Sequence, residues 1–355
     1  MCEALTELGH RTRIFAPREA PPLPAADLQA HYGLRLEPEI ELHRSMRPLR
    51  RLDFVLRAQE AASAFRPDLI YTWLPQSAVL ALRRKCPAVL ELHADVGGRL
   101  GAWWLRQFWS GRPPKRLVVT TRALWSALER STGAELPEDS VVIAPNGVDL
   151  IRYQQLPDAV EARRRLGLPA RPTVGFTGHV YRGRGADLLL ELARRMPEVG
   201  FLWAGGTEEA VSSWRRMLSE AGIHNLTVTG FVENSRLPLY QAAADVLLMP
   251  YGRSIEASSG QDIAEVINPM KMFEYMAAGR AIAAANLSVL REVLNAGNAV
   301  FCEPGNADEW EAALRSLLAD EKRRTELGAR ARKDVQAFTW IARARKILDG
   351  FEPPA

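Results

Sequence analysis

Short apolar runs recur along this chain with helix-forming stretches between them, and that alternation limits the possible folds more than any single motif. Residues 13–16, 68–71, 88–92, 116–120 and 141–144 read as buried strands, and residues 51–65 and 121–130 carry helical spacing between them. A second series follows at residues 173–177, 200–204, 226–229, 245–249, 281–284 and 299–302, with helical patterns over 186–195, 208–221 and 237–243. Strands alternating with helices build a mostly parallel sheet covered on both faces. Two such series predict two α/β units in tandem. Pro157, Pro169 and Pro172 interrupt the pattern, so the boundary is expected between residues 146 and 171. The expected division is residues 1–150, residues 151–335 and a helical tail over 336–355.

Composition fits this picture. The chain has 355 residues, 47% hydrophobic and 25% charged, which suits a soluble globular protein of about two domains. No run of about 18 apolar residues is present, so no membrane-spanning helix is expected. The N-terminus lacks the charged and apolar regions of a signal peptide. Cys2, Cys86 and Cys302 lie far apart, which is neither a disulfide framework nor a zinc spacing. A reducing cytoplasm is the simplest location. Arginines cluster at Arg44, Arg47, Arg50 and Arg51 and at Arg163, Arg164 and Arg165. Such clusters are usually solvated helix faces, and they also suit weak contact with an anionic inner-membrane surface. No base-stacking aromatic pattern accompanies them, so no nucleic-acid partner is expected.

The segment richest in chemistry is Asn268-Pro-Met-Lys-Met-Phe-Glu-Tyr-Met-Ala-Ala-Gly279. Asn268 suits an N-cap, Pro269 the first helical position and Gly279 the helix end. A helix N-terminus facing a cleft is an anion site, and Glu274 can accept hydrogen bonds from sugar hydroxyls. Together they suit a nucleoside diphosphate with its ribose. The plain alternative is an amphipathic helix with a glycine cap. A second candidate, Gly178-His-Val-Tyr-Arg-Gly-Arg-Gly-Ala-Asp187, follows a strand and opens a helix, where open α/β sheets bind ligands. Its glycines let backbone approach phosphate, and Arg182 or Arg184 can grip diphosphate oxygens. The alternative is a solvated arginine loop. In the first half, Glu91-Leu-His93-Ala-Asp95 ends a strand before Gly97-Gly98, which turns His93 toward the ligand edge of the sheet, or leaves it structural. Asp95 can bind acceptor hydroxyls or act as a base. No Asp-x-Asp behind a buried strand and no His/Cys cluster is seen, so no metal site and no resident cofactor are expected.

The 268–279 stretch resembles the donor-site signature of family 4 glycosyltransferases, retaining GT-B enzymes that use nucleotide sugars; one common form reads Ser-Pro-x-Lys-x-x-Glu-Tyr-Met-Ala-x-Gly. The resemblance runs across nearly the whole chain. It includes Pro145-Asn-Gly-Val-Asp149 at the domain junction, and Gly230-Phe-Val232, Leu237-Pro-Leu-Tyr240 and Ala244-Asp-Val246 around the nucleotide base. It implies two Rossmann-like domains facing across a cleft, with acceptor binding in the first and donor binding in the second. It implies His93 beside the transferred sugar, a diphosphate held by Arg184 with Gly178 and Arg182, and a base framed by Gly230 and Val232. It implies the remaining donor contacts at Asn268, Pro269, Met270, Lys271 and Glu274. His93, Arg184 and Glu274 are the implied catalytic groups. The implied reaction needs no metal: a sugar passes from the nucleotide sugar to a carbohydrate, lipid-linked or small-molecule hydroxyl.

Three departures stand out. His179 occupies the place of a usual arginine. Val266 occupies the place of a usual first glutamate, leaving Ser259, Asp262 and Glu265 as candidates for the sugar contact. Leu5-Thr-Glu-Leu-Gly-His10 resembles the end of the family's first helix, so the preceding strand and glycine loop are not in this sequence. The expectation is a chain that starts late relative to the natural protein, or an impaired enzyme. The rivals are a nucleotide-sugar-binding homologue without activity and an epimerase of the same fold.

Overall fold

The computed structural model describes residues 1–18, 29, 33–36, 39–46, 51–112, 114–133, 135–179, 183–257 and 260–351. Arg47, Arg50, Arg182 and Ser259 lie outside the described residues. The chain divides into two compact units. One holds Met1–Pro145 with Trp340–Ala355, and the other holds Asn146–Thr339.

In the first unit, β1 (Ile14–Arg18) and β2 (Ile40–Arg44) pair in parallel as a sheet of their own. β3 (Ile70–Thr72), β4 (Ala88–Leu92), β5 (Lys115–Val119) and β6 (Val141–Ile143) form a second parallel sheet in that order. Helices Leu52–Phe65, Pro75–Arg83, Gly98–Ser110 and Arg122–Thr132 fall between these strands. β4 is buried at every residue, and Glu91 is the one charged position in its otherwise apolar run. β2 was not expected. It alternates Ile40 and Leu42 with charged residues and is only half buried, so a search for continuous apolar runs passes over it. The helix Trp340–Leu348 belongs to this unit: Ile347 and Phe351 pack with Val89, Val118 and Ala144, and Arg116 donates to the carbonyls of Ile347 (2.6 Å) and Asp349 (2.7 Å).

The second unit has one parallel sheet of six strands. Their order is β12 (Val300–Cys302), β11 (Ala281–Ala285), β10 (Val246–Met249), β7 (Thr173–Thr177), β8 (Gly200–Ala204), β9 (Leu226–Val228). The chain winds outward from β7 through β8 to β9, then returns to build β10 on the other side of β7. The ends of β7 and β10 therefore flank the switch point, where a crevice opens in sheets of this type. The helix Met270–Ala278 packs between β10 and β11 in sequence and is buried along most of its length. Gly279 ends it at φ +66°, the left-handed conformation glycine adopts most readily. Arg163 corrects the idea of a solvated arginine cluster. It is buried and donates to Ala243 O and Asp245 Oδ2, both at 2.9 Å, whereas Arg164 and Arg165 pair with Glu161 at the surface.

Candidate functional site

β7 ends in Phe176 and Thr177, and Gly178 turns the chain away. Its N–H donates to Ala204 O and its carbonyl accepts from Trp203 Nε1, both at 2.9 Å. Gly178 sits at φ +131°, and a Cβ there would lie 2.7 Å from Lys271 Nζ. The absence of a side chain at Gly178 is therefore what admits the ammonium.

Lys271 stands in the first turn of Met270–Ala278 and is only 9% exposed. Its Nζ lies 3.8 Å from the centre of the Phe176 ring and 5.8 Å from that of Tyr251. The rings' negative faces partly stabilise the charge. Among the described residues Nζ has no hydrogen-bond partner. Burial, and next the positive charge of Arg184, bring the Lys271 ammonium down to a pKa of about 7, with Glu274 opposing. Two cations near one another in a buried place favour an anion between them.

Arg184 is positioned by its flanking glycines. Gly252 N–H donates to Gly183 O at 2.8 Å, and a Cβ on Gly183 or Gly185 would collide with the backbone oxygens of Ser254 or Pro250. The arginine loop is thus pressed onto the loop after β10. Gly185 then opens the helix Ala186–Arg195.

Glu274 follows Lys271 by about one helical turn and is half-buried. Its Oε2 accepts from Gln241 Nε2 at 3.0 Å, and Gln241 Oε1 accepts from the Tyr153 hydroxyl at 3.0 Å. Burial pushes the Glu274 carboxyl up from the usual range, against the Gln241 hydrogen bond, Arg152 and Lys271. Tyr275, the next residue, accepts from Thr177 N–H through its hydroxyl at 2.7 Å, tying the helix to the end of β7.

The helix start differs from the expectation. The helix begins at Met270 and Pro269 takes the N-cap position, with no side-chain cap. Asn268 turns instead to the Pro-Asn-Gly segment: its Oδ1 accepts from Asn146 N–H at 2.7 Å, and its carbonyl accepts from Asn146 Nδ2 at 2.6 Å. Pro269 therefore puts no side-chain cap on the helix start, where Met272 N–H turns back to Pro269 O at 3.0 Å and a helix N-terminus of this kind suits an anion. Gly230 bridges Gly205, which follows β8 and whose Cβ position would lie 2.5 Å from Gly178 O. Val232 continues that loop, beside the exposed Phe231. Asp262 spends its Oδ1 on the amides of Ile255 (2.9 Å) and Ala264 (3.0 Å), which lower its pKa and staple the loop. Glu265 is exposed. The structure thus brings together Gly178, Arg184, Lys271 and Glu274.

His93 belongs to the first unit. Its ring is 46% exposed, and its Nε2 contacts Glu91 Oε1. Glu91 is only 2% exposed and forms an ion pair with Arg343, whose Nη2 lies 2.9 Å from Oε1 and Nη1 3.1 Å from Oε2. The Tyr71 hydroxyl also donates to Oε2. Burial alone would raise the Glu91 pKa, but the His93 and Arg343 contacts outweigh it and hold it at about 2.

Sequence reasoning missed Glu91, Arg343, Gln241, Tyr153 and Phe176. Glu91 carried a signal, since residues i and i+2 on a strand share a face. Arg343 and Tyr153 carried none, because folding alone brings them near. Among the described residues no three His, Cys, Asp or Glu side chains converge as a metal site. Among them too, no helix is long and apolar enough to cross a membrane.

The architecture is that of Rossmann-like α/β units, with a cationic site at the switch point of the second. Residues 1–152 match the model described as Glycosyltransferase Family 4, and residues 171–320 match that of Glycosyl transferases group 1. The chain belongs to this glycosyltransferase family. It is 33% identical over 245 residues to a D-inositol 3-phosphate glycosyltransferase of Xylanimonas cellulosilytica, covering 66% of this chain and 55% of that one. It is 29% identical over 285 residues to a phosphatidyl-myo-inositol mannosyltransferase of Mycolicibacterium smegmatis, covering 78% and 68%. The chain spans about half the length of the first of these relatives. In fold it is similar to Anabaena HepE in complex with UDP, with TM-score 0.71, 18% identity and coverage of 96% and 99%. It is also similar to sucrose-phosphate synthase of Thermosynechococcus elongatus, with TM-score 0.75, 19% identity and coverage of 96% and 88%. Both neighbours have the GT-B architecture of two Rossmann-like domains, and this chain shares it.

Proposed function

We propose that this chain transfers a sugar from a nucleoside diphosphate sugar to an acceptor hydroxyl, with retention at the anomeric carbon and without a divalent metal. The observation that carries the proposal is the Lys271 ammonium, buried without a hydrogen-bond partner among the described residues, near Arg184 and one turn before Glu274. The second unit is the donor side. Lys271, Arg184 and the open amides of Met270 and Lys271 meet the diphosphate, and Glu274, steadied by Gln241, accepts from the ribose hydroxyls. Gly230 and Val232 frame the base. Asn268 and Pro269 shape this site through the helix start rather than by a direct cap.

In the transfer step the bond from the anomeric carbon to the diphosphate oxygen breaks, and its electron pair leaves with the diphosphate. The acceptor oxygen bonds to that carbon from the same face, and its proton passes to the departing phosphate oxygen. Lys271 and Arg184 stabilise the developing negative charge. The first unit is the acceptor side, with His93 beside the transferred sugar and Arg44 and Arg51 suited to a cytoplasmic membrane surface. The relatives named for inositol phosphate and phosphatidylinositol, and the UDP-bound neighbour, support the nucleotide-sugar chemistry.

A panel of UDP, GDP and ADP in a thermal-shift assay identifies the base, since a ligand that binds only the native state raises its stability. Glu274→Ala and Arg184→Ala are expected to weaken that ligand with the fold intact. Unchanged affinity in both variants would remove the site assignment. A second reading, a nucleotide-sugar binder without transfer activity, is favoured by Val266 in place of the usual glutamate. Binding without hydrolysis or transfer of the donor would select it.

A further inference from the structure

The first unit carries a cavity of about 540 Å³, the size that takes a small organic molecule. The end of β4 and the segment after it form part of its wall: Leu92 and Ala94, on either side of His93, both line it, followed by Asp95 and Val96. Leu52, Leu100, Trp73 and Trp104 supply most of the remaining apolar surface. Three of these are unusually open for their size: Trp73 at 55%, Leu100 at 44% and Leu52 at 40% exposure. Large apolar side chains gathered at a cavity mouth mark a binding site more often than a solvated surface.

Charge decides what the cavity takes. Among the described lining residues none is Lys, Arg or His, and Asp95 is the single ionisable one. Asp95 Oδ1 accepts from Val96 N–H at 2.7 Å and from Ser131 Oγ at 2.8 Å, close to where the helix Gly98–Ser110 begins. A helix start offers roughly half a positive charge. The Asp95 carboxylate more than offsets it, so a phosphate there meets net repulsion. A polyol fares little better. Each hydroxyl taken from water needs a partner, and Gln76 and Asp95 are the main polar side chains on offer.

We infer that this cavity holds an uncharged apolar portion of the acceptor, an alkyl or aryl aglycone whose hydroxyl receives the sugar, and not a free inositol phosphate or other sugar phosphate. The inference rests on the transfer reaction proposed above and names the acceptor class.

Intrinsic tryptophan fluorescence of the full chain tests it, because Trp73 and Trp104 line the cavity. The probes are octyl β-glucoside below its micelle concentration, methyl β-glucoside and inositol 1-phosphate. Octyl glucoside is expected to saturate, at least about tenfold more tightly than methyl glucoside, as buried methylene groups require. Leu100→Gln and Trp73→Ser, both at exposed positions and so compatible with folding, are expected to weaken octyl glucoside severalfold. Equal affinity of the two glucosides, or no effect of both substitutions, overturns the inference. Saturable inositol 1-phosphate binding that both substitutions weaken also overturns it. The proposed reaction fails separately. Octyl glucoside binding without transfer from any nucleotide sugar leaves the cavity assignment standing and removes the enzyme. Transfer to inositol phosphate, with octyl glucoside neither bound nor glycosylated, does the reverse.

Discussion

Each unit of this protein buries a charge, and the two charges are handled in opposite ways. In the first unit Glu91 is closed off: Arg343, Tyr71 and His93 all contact its carboxylate. In the second, Lys271 is left open: its ammonium rests on Phe176 and Tyr251 with no hydrogen-bond acceptor among the described residues. A buried charge costs several kcal/mol unless it is paired. Glu91 meets that cost within the fold, so its network fixes structure and orients the His93 ring. Lys271 leaves the cost unmet, and a bound anion is what would offset it. Burial is therefore a poor guide to function by itself, and the state of pairing separates a structural charge from a binding one.

The largest expected effect comes from opening the closed charge. Arg343→Met leaves Glu91 buried without its cation and should cost about 3–5 kcal/mol in denaturant unfolding. A loss below about 1 kcal/mol would mean that the Glu91 network does not hold the C-terminal helix to the first unit.

Closing the open charge should do the reverse. Lys271→Met removes an unpaired ammonium at nearly constant shape, so stability should hold or rise. Nucleoside diphosphate affinity should fall about 100-fold, the scale of charge-assisted hydrogen bonds to phosphate. Equilibrium unfolding and titration calorimetry on one sample measure both. Lower stability with unchanged affinity would break the contrast.

The two charges also predict opposite pH dependences. Glu91 has a folded pKa of about 2, below the usual carboxylate value of about 4.3. Its stabilisation is fully present above that usual value and is lost as pH falls toward 2. Lys271 has a folded pKa of about 7, below the usual lysine value of about 10.4. Between those values the unfolded chain binds more protons, so stability climbs with pH across that window. Lys271→Met should flatten the alkaline climb and leave the acid loss in place, as unfolding midpoints across pH would report.

The smallest effect sharpens the role of Glu274. Tyr153→Phe frees Gln241 Oε1 and should cost about 0.5–1.5 kcal/mol. Donor affinity should fall only a few-fold, because Glu274 keeps its contact with Gln241 Nε2. A drop as large as that of Lys271→Met would give Tyr153 a direct part in binding.

Much of this was legible in the chain itself. Fully buried strands such as β10 and β11 declare themselves by unbroken apolar runs. Gly178, Arg184 and Glu274 stood out as candidates because strand ends, glycines and helix starts leave local signals, and Lys271 entered through the family resemblance. β2 escaped because it alternates and is half-buried. Asn268 looked like a cap, yet tertiary contact with Asn146 claimed its side chain, since a residue can cap a helix or brace a neighbouring segment but not both. Pairing was the part least open to prediction. Arg343 reaches Glu91 across 252 positions of sequence, and Gln241 serves Glu274 from just past the Leu237-Pro-Leu-Tyr240 motif, whose pattern does not include it. Whether a buried charge is closed or open is a property of the fold.

Proton uptake on binding tests the open-charge account most directly. A diphosphate beside Lys271 favours the ammonium form, so binding should draw a proton wherever the free protein holds Lys271 neutral. Calorimetric titration with the preferred nucleoside diphosphate at pH 8, in two buffers of different ionisation enthalpy, should show uptake approaching about one proton per ligand. That uptake should fade below about pH 6 and vanish in Lys271→Met. Tight binding at pH 8 without proton uptake, or the same uptake in the variant, would contradict the claim that Lys271 holds the diphosphate.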